Sequence, residues 1–238
     1  MLEKLKEEVW RANLDLVKER LVVETWGNAS GIDRASGNVV IKPSGVPYEG
    51  MEAGQMVVVS LRTGKVVEGE LKPSSDTATH LALYRAFRGI GGVAHTHSLF
   101  ATAWAQARRS IPAYGTTQAD YWQGEVPCTR LLTRAEIRTD YEANTGHVIV
   151  ETFQKLDPAR HPAVLVAGHG PFTWGKSAGE AARNAVVLEF VARLASETLR
   201  LNPKTKPMQA ALLGKHFFRK HGEGAYYGQK QPTTNKEI

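Results

Sequence analysis

Residues 2–20, LEKLKEEVWRANLDLVKER, carry apolar side chains at intervals of three and four between charges, the spacing of an amphipathic helix with one buried stripe. The pattern then changes to short β-rich runs, VVETWGNASGID, NVVIKPSG, MVVVSL and KVVEGE, divided by Gly, Asp and Ser. These predict strands joined by tight turns. A Ser-Ser-Asp cluster opens SSDTATHLALYRAF, where Leu81, Tyr84 and Phe87 recur behind a helix-capping signal. GVAHTHS reads as a strand running into the helix SLFATAWAQARR. After a loop-rich region around IPAYGTTQADYWQGEVPC come a helix in GHVIVETFQKL, a strand in AVLVAGHG and the long helix AGEAARNAVVLEFVARLASETLRL. A last helix, MQAALLGKHFFRKH, leads to GEGAYYGQ and a polar tail.

No internal repeat, Ser/Pro-rich linker or low-complexity tract divides this series, so a single domain is expected. Strands and helices are mixed without regular βαβ alternation, and neither a GxGxxG nor a Walker A sequence is present. The expected fold is therefore α/β, with helices on both faces of a mixed or largely antiparallel sheet, rather than a doubly wound nucleotide fold. At 238 residues, 42% hydrophobic and 23% charged, the chain can bury a sizeable core without disulfide or metal staples. No apolar run approaches membrane-spanning length, and the N-terminal helix resembles neither a signal nor a transit peptide; a cytoplasmic protein with no membrane partner is expected. The net charge of +6 would suit either nucleic acid or an anionic small substrate. In the absence of an RNP motif, a helix-turn-helix pattern or an arginine-aromatic ladder, nucleic acid is not an expected partner.

Cys128 is the only cysteine, which excludes an intrachain disulfide and a thiolate-rich metal site. It lies in EVPCTR with no histidine nearby and reads as a small buried hydrophobe. Any metal must then use imidazole and carboxylate. GGVAHTHS supplies the first two: alternate strand residues share a face, so His95 and His97 project together while Thr96 points away. His169, in LVAGHGPF, ends another apolar run and offers a third nitrogen. Three neutral imidazoles suit zinc, which in catalytic sites keeps a position open for substrate. Asp76 could complete the set as a carboxylate or cap the following helix. His80, His147, His161, His216 and His221 are weaker candidates, expected at surface or capping positions. GNASG at 27–31, KPSGV at 42–46 and KPSSD at 72–76 combine small residues and hydroxyls in the manner of anion-binding turns, the last at a helix N-terminus.

GNASGID, IKPSGV, KPSSDTATH, VAHTHS, GTTQADYWQGEVPCT, HGPFTWG and RKHGEGAYYGQ together resemble the class II aldolase and adducin-like family. The agreement runs in order over nearly the whole chain, suggesting a domain over residues 1–229 and an extra polar tail at 230–238. The resemblance implies an α/β/α sandwich and a homotetramer with active sites between neighbouring subunits. The family's metal ligands fall on His95, His97 and His169, with Asp76 at a fourth, carboxylate position, holding one divalent ion per subunit. Its phosphate and substrate contacts fall on Gly27, Asn28, Ser44, Gly45, Ser74 and Ser75, with Lys42 nearby. Its acid/base pair falls on Asp120, in QADYW, and on Tyr227, the second tyrosine of AYYG, both serving a metal held by the adjacent subunit. The implied chemistry is retro-aldol cleavage within a phosphorylated ketopentose, followed by re-addition to the opposite face, which is epimerisation. The family's aldolases, such as L-fuculose-phosphate aldolase, typically carry glutamate at the position of Asp76, so the shorter side chain favours an epimerase. Retention of His95, His97, His169, Asp120 and Tyr227 argues against a non-enzymatic adducin-like binding module.

Overall fold

A computed structural model describes residues 2–222 and 224–228; the 230–238 tail lies outside the described residues. Seven strands form one sheet in the order β4-β3-β2-β1-β5-β7-β6. They are β1 (Gly27–Asp33), β2 (Asn38–Ile41), β3 (Val57–Ser60), β4 (Val66–Glu68), β5 (Gly92–Thr96), β6 (Ala163–Leu165) and β7 (Pro171–Gly175). Every pair of named strands is antiparallel, and an isolated bridge between Cys128 and Leu165 is parallel.

Period-two alternation directs the strand side chains to two separate cores. On one face Val39, Ile41, Val57, Val59, Val93 and Trp174 meet α2 (Thr77–Ala86) and α6 (Tyr141–Thr152) through Leu81, Leu83 and Ile149. On the other, Ala29, Val40, Val58 and Ala94 meet α1 (Glu3–Lys18) and α7 (Ala178–Leu201). Val9, Ala12 and Leu16 form the buried stripe expected of α1, and a row of alanines lets α7 lie close to the sheet. A third cluster joins α3 (Leu99–Gln106) to α7 around Trp104, Trp122 and Leu188. Burying a large aliphatic side chain contributes about 1.5–3 kcal/mol, against about 0–1 kcal/mol for an exposed ion pair, so these apolar seams hold the layers together. Asn13 adds a directional tie, exchanging hydrogen bonds with the backbone N–H and C=O of Ala29 at 2.8 and 3.1 Å.

The glycine pair that opens GGVAHTHS has a packing cause. A Cβ on Gly92 would lie 2.2 Å from the Ser177 carbonyl oxygen, because the connection from β7 into α7 crosses directly over the start of β5. Three features depart from the sequence expectation. PFTWG, for which the sequence predicts no element, is the interior strand β7; TRAEIRT, likewise without a predicted element, forms α5 (Arg134–Thr139) on a capping box between Thr133 and Glu136. The next helix, α6, starts at Tyr141, five residues before the expected Gly146, because the Asp140 side chain accepts from the Ala143 N–H. Cys128 is half-buried rather than fully buried, and burial pushes its thiol up to about 11, far from a reactive thiolate. Among the described residues no helix is long and apolar enough to cross a membrane.

Candidate metal and anion site

The antiparallel pairing of β1, β5 and β7 assembles the site. Asn28 stands directly opposite His95 across β1 and β5, and His95 stands opposite Phe172 across β5 and β7. His97 follows on the same side just past the strand end. His169 arrives on the tight connection between β6 and β7, where Gly168 takes the left-handed conformation (φ +75°) and a Cβ on Gly170 would sit 2.9 Å from the Thr96 carbonyl oxygen. Those two glycines explain the sequence around His169: one makes the turn, the other lets it close on the end of β5.

One nitrogen from each of His95, His97 and His169 lies within 4.8 Å of the other two. The Nε2 atoms of His95 and His97 are 3.1 Å apart. Two ligands at ~2.0–2.1 Å from a tetrahedral ion stand roughly 3.3 Å apart, so the donor set fits a zinc-type cation. His95 Nδ1 lies 2.9 Å from the carbonyl oxygen of Pro171, which can only accept, so the proton resides on Nδ1 and the Nε2 lone pair faces its neighbours. The His95 ring also stacks on Phe172 at 4.2 Å between centroids. Burial and the nearby His95 lower the pKa of His97; burial, with His95 and His97 beside it, takes His169 down to about 3. Both rings are therefore neutral and able to donate lone pairs near pH 7.

Asp76 occupies the N-cap position of α2 but makes no capping bond; its Oδ2 accepts from Asn28 Nδ2 at 2.7 Å. Burial pushes its carboxyl up, yet His95, His80 and Asn28 outweigh this and hold it below the ordinary range. The compact nitrogen cluster consists of the three histidines, and Asp76 lines the same cleft.

That cleft has a volume of about 580 Å³, and Gly27, Asn28, Ser44, Gly45, Ser74 and Ser75 all lie along it with the histidines. The two KPS segments reach it as a pair. Ser44 N–H donates to Lys72 O at 2.9 Å and Ser74 N–H donates to Lys42 O at 3.0 Å, so the two turns lie side by side. Lys42 lies beneath them, 2% exposed, donating to Val46 O at 2.7 Å with its ammonium 4.6 Å from the Tyr48 ring centroid. Burial pulls its pKa down to about 8. A cation with no carboxylate partner among the described residues, paired hydroxyl turns and the N-terminus of α2 make this end of the cleft suited to an anion.

Asp120 and Tyr227 are not among the cleft residues. Asp120 follows α4 (Thr116–Ala119) and faces α8 (Ala210–Lys220), where Arg219 grips both its oxygens at 3.0 and 2.8 Å. His216 Nδ1 and Lys220 Nζ complete the cluster at 3.1 and 3.2 Å. Burial acts to raise the Asp120 carboxyl, and these three partners more than reverse it. Tyr227 is 59% exposed, with the Arg219 and Lys220 cations each 4.6 Å from its ring centroid. The two residues thus gather beside α8, outside the cleft that His95, His97 and His169 line.

Sequence reasoning missed Tyr141 and Glu142, which line the cleft from the first turn of α6; Tyr141 Oη is 3.4 Å from His169 Nδ1. The Asp140 cap was the available signal. It also misplaced two histidines: His80 is fully buried against Ser30 rather than at the surface, and His216 is bound to Asp120.

Comparison with known proteins gives the family and the fold. Residues 7–196 match the family described as Class II Aldolase and Adducin N-terminal domain. The chain is 56% identical over 229 residues to proteins from Salmonella typhi and Salmonella paratyphi A named L-ribulose-5-phosphate 4-epimerase UlaF, covering 96% of this chain and 100% of theirs. Among solved structures, an L-fuculose 1-phosphate aldolase superposes with a TM-score of 0.77 at 24% identity, over 91% of this chain and 95% of that one. An aldolase II superfamily protein from Pseudomonas syringae gives 0.76 at 16% identity, over 93% and 86%. At those identities the two structures speak for the fold alone.

Proposed function

Because the chain belongs to the class II aldolase and adducin family, we propose that it is an epimerase that interconverts L-ribulose 5-phosphate and D-xylulose 5-phosphate. The observation that carries this reading is one cleft lined by three convergent imidazoles and by two paired hydroxyl turns, in a chain 56% identical to named epimerases.

Inverting C4 by simple deprotonation is implausible, since that C–H is not adjacent to the C2 carbonyl. Removal of the C4 hydroxyl proton instead lets the C3–C4 bond break, with its electron pair moving into the C2 carbonyl to give a dihydroxyacetone enediolate. The other fragment, glycolaldehyde phosphate, rotates and receives the electrons on its opposite face; a proton returned to the C4 oxygen completes the change. His95, His97 and His169, with Asp76 as the fourth, carboxylate ligand, would hold a divalent cation, for which zinc fits the donors. When bound, such a cation supplies Lewis-acid stabilisation of negative charge on the substrate's C2 and C3 oxygens. Gly27, Asn28, Ser44, Gly45, Ser74 and Ser75, with Lys42, hold the phosphate so that only the aldehyde end turns.

Asp120 and Tyr227 are the acid/base pair in this reading, and they act across a subunit boundary in a homotetramer. Their position outside the cleft of His95, His97 and His169 supports that arrangement, as do the exposed apolar side chains Phe190 and Leu194 on α7. The fold domain then spans residues 1–229, and the enzyme works in the cytoplasm in pentose (arabinose) catabolism. A coupled assay with L-ribulose 5-phosphate, scoring both D-xylulose 5-phosphate and released glycolaldehyde phosphate, tests the proposal. Accumulation of the free aldehyde in place of the epimer would assign the chain to the aldolases.

A further inference from the structure

Beneath the histidines, α2 and β1 are joined by a polar seam that the reaction described above does not use. Asp76, His80 and Tyr84 follow at intervals of four on α2 and so share one face, while Asn28 and Ser30 alternate on one face of β1. Four helical residues advance about 6.0 Å and two strand residues about 6.7 Å, so the two rows stay in step. Asn28 pairs with Asp76 at 2.7 Å; Ser30 Oγ lies 2.7 Å from His80 Nδ1 and 2.8 Å from Tyr84 Oη. All this lies in an otherwise apolar layer, and His80 is 0% exposed.

Two atoms of the seam have no partner and are buried: His80 Nε2 and Asn28 Oδ1. A buried polar group left unsatisfied is costly, which makes two on neighbouring rungs a reason to look for a connection. A neutral imidazole offers one donor and one acceptor nitrogen, and Nδ1 of His80 is already engaged with Ser30 Oγ. Asn28 Oδ1 can only accept. The pattern is consistent if Nε2 carries the proton, Nδ1 accepts from Ser30 Oγ–H, and Ser30 accepts from Tyr84 Oη–H.

We infer that His80 is a positioning residue, protonated at Nε2, which donates through one bridging water to Asn28 Oδ1 and so keeps the Asn28 amide turned with its NH₂ toward Asp76. The inference rests on the metal-site reading, because its effect is to fix the Asp76 carboxylate beside the three histidines. Without this donor the Asn28 amide is free to turn its carbonyl toward Asp76. Two acceptors then face each other, and the carboxylate moves.

Asparagine and glutamine separate this role from simple packing, since the Asn carboxamide reaches only the position of Nδ1 while that of Gln reaches Nε2. The test compares His80→Asn and His80→Gln in the full chain for divalent-ion affinity by chelator competition, for kcat and KM, and for thermal midpoint. His80→Asn is expected to weaken ion binding about 10–100-fold and to lower kcat with little change in KM, with His80→Gln close to wild type. Equal ion affinity in both folded variants would overturn the inference. Should both variants fail to fold, ¹⁵N NMR of the metal-free wild-type protein decides it: an Nε2-protonated His80 supports the inference and an Nδ1-protonated one sinks it. A wild-type protein that binds no divalent ion would instead remove the metal reading, an outcome distinct from the tautomer result.

Discussion

The Nε2 atoms of His95 and His97 lie 3.1 Å apart, two residues along a chain whose intervening Thr96 is turned to the other side of β5. Strand alternation puts both imidazoles on one side, and the Pro171 carbonyl then sets the proton of His95 on the nitrogen that faces away from His97. Such a pair is arranged to share a guest.

Replacing His97 by Asn therefore removes one of three nitrogen donors while leaving an exposed position that packs little. Metal content by elemental analysis is expected to fall with activity, both at least ~100-fold, and the thermal midpoint of the metal-free protein should stay near wild type. Full metal occupancy in the variant would show that His97 is not a ligand.

Ser75 sits in the second KPS turn, before α2, where a negative charge would face the substrate phosphate. Ser75→Asp is expected to raise KM for the phosphorylated ketopentose on the order of 10–100-fold, since like charges in a half-buried cleft repel by a few kcal/mol at most. An unchanged KM in steady-state assays would move the phosphate elsewhere.

Lys42 gives the cleft a pH dependence. Its folded pKa, about 8, lies below the value of 10.5 for a free lysine, so the native chain loses this proton first. Between those values the unfolded chain holds more protons, and this group makes stability rise with pH. Substrate binding changes in the opposite sense, because a neutral amine no longer attracts phosphate. kcat/KM, which reports the free enzyme, is expected to fall as pH rises through about 8, and Lys42→Met should show a low, flat profile there. The same fall in Lys42→Met would assign it to another group.

Asp120 is gripped by Arg219 of α8, outside the cleft that His95, His97 and His169 of its own chain line. If it serves a neighbouring subunit, inactive His97→Asn and inactive Asp120→Asn proteins should complement each other. Random exchange places an intact metal site beside an intact Asp120 at about one quarter of the interfaces, so roughly that fraction of activity is expected to return. Mass spectrometry confirming mixed oligomers without recovered activity would place both groups within one chain's site.

Much of this was legible along the chain. The stripe of α1, the Val-rich strands, the same-side placement of His95 and His97, and the hydroxyl turns are local patterns, determined by side-chain alternation, helical spacing and turn chemistry within a few residues. The family motifs extended that reading to Asp76, Asp120 and Tyr227. Other elements were hidden for physical reasons. β7 is short, begins with proline and is buried on both faces, so PFTWG shows no alternation. His80 is polar and reads as a surface residue, but α2 is enclosed by the sheet and by α6, and a helix buried nearly all round has no solvent face to give it.

Sequence by itself thus determined which residues could bind an ion or a phosphate, because donor chemistry and local periodicity belong to the chain. Tertiary structure decided which of them meet. His169 lies 72 residues after His97, and it reaches the pair only because the hairpin of β6 and β7 adds to the edge of β5. Likewise the two KPS turns pair across 30 residues, Asp76 turns from helix capping to Asn28, and Asp120 finds Arg219 on the last helix. Such contacts depend on strand register and on burial against distant elements, and no short window of sequence contains the free energy that selects them.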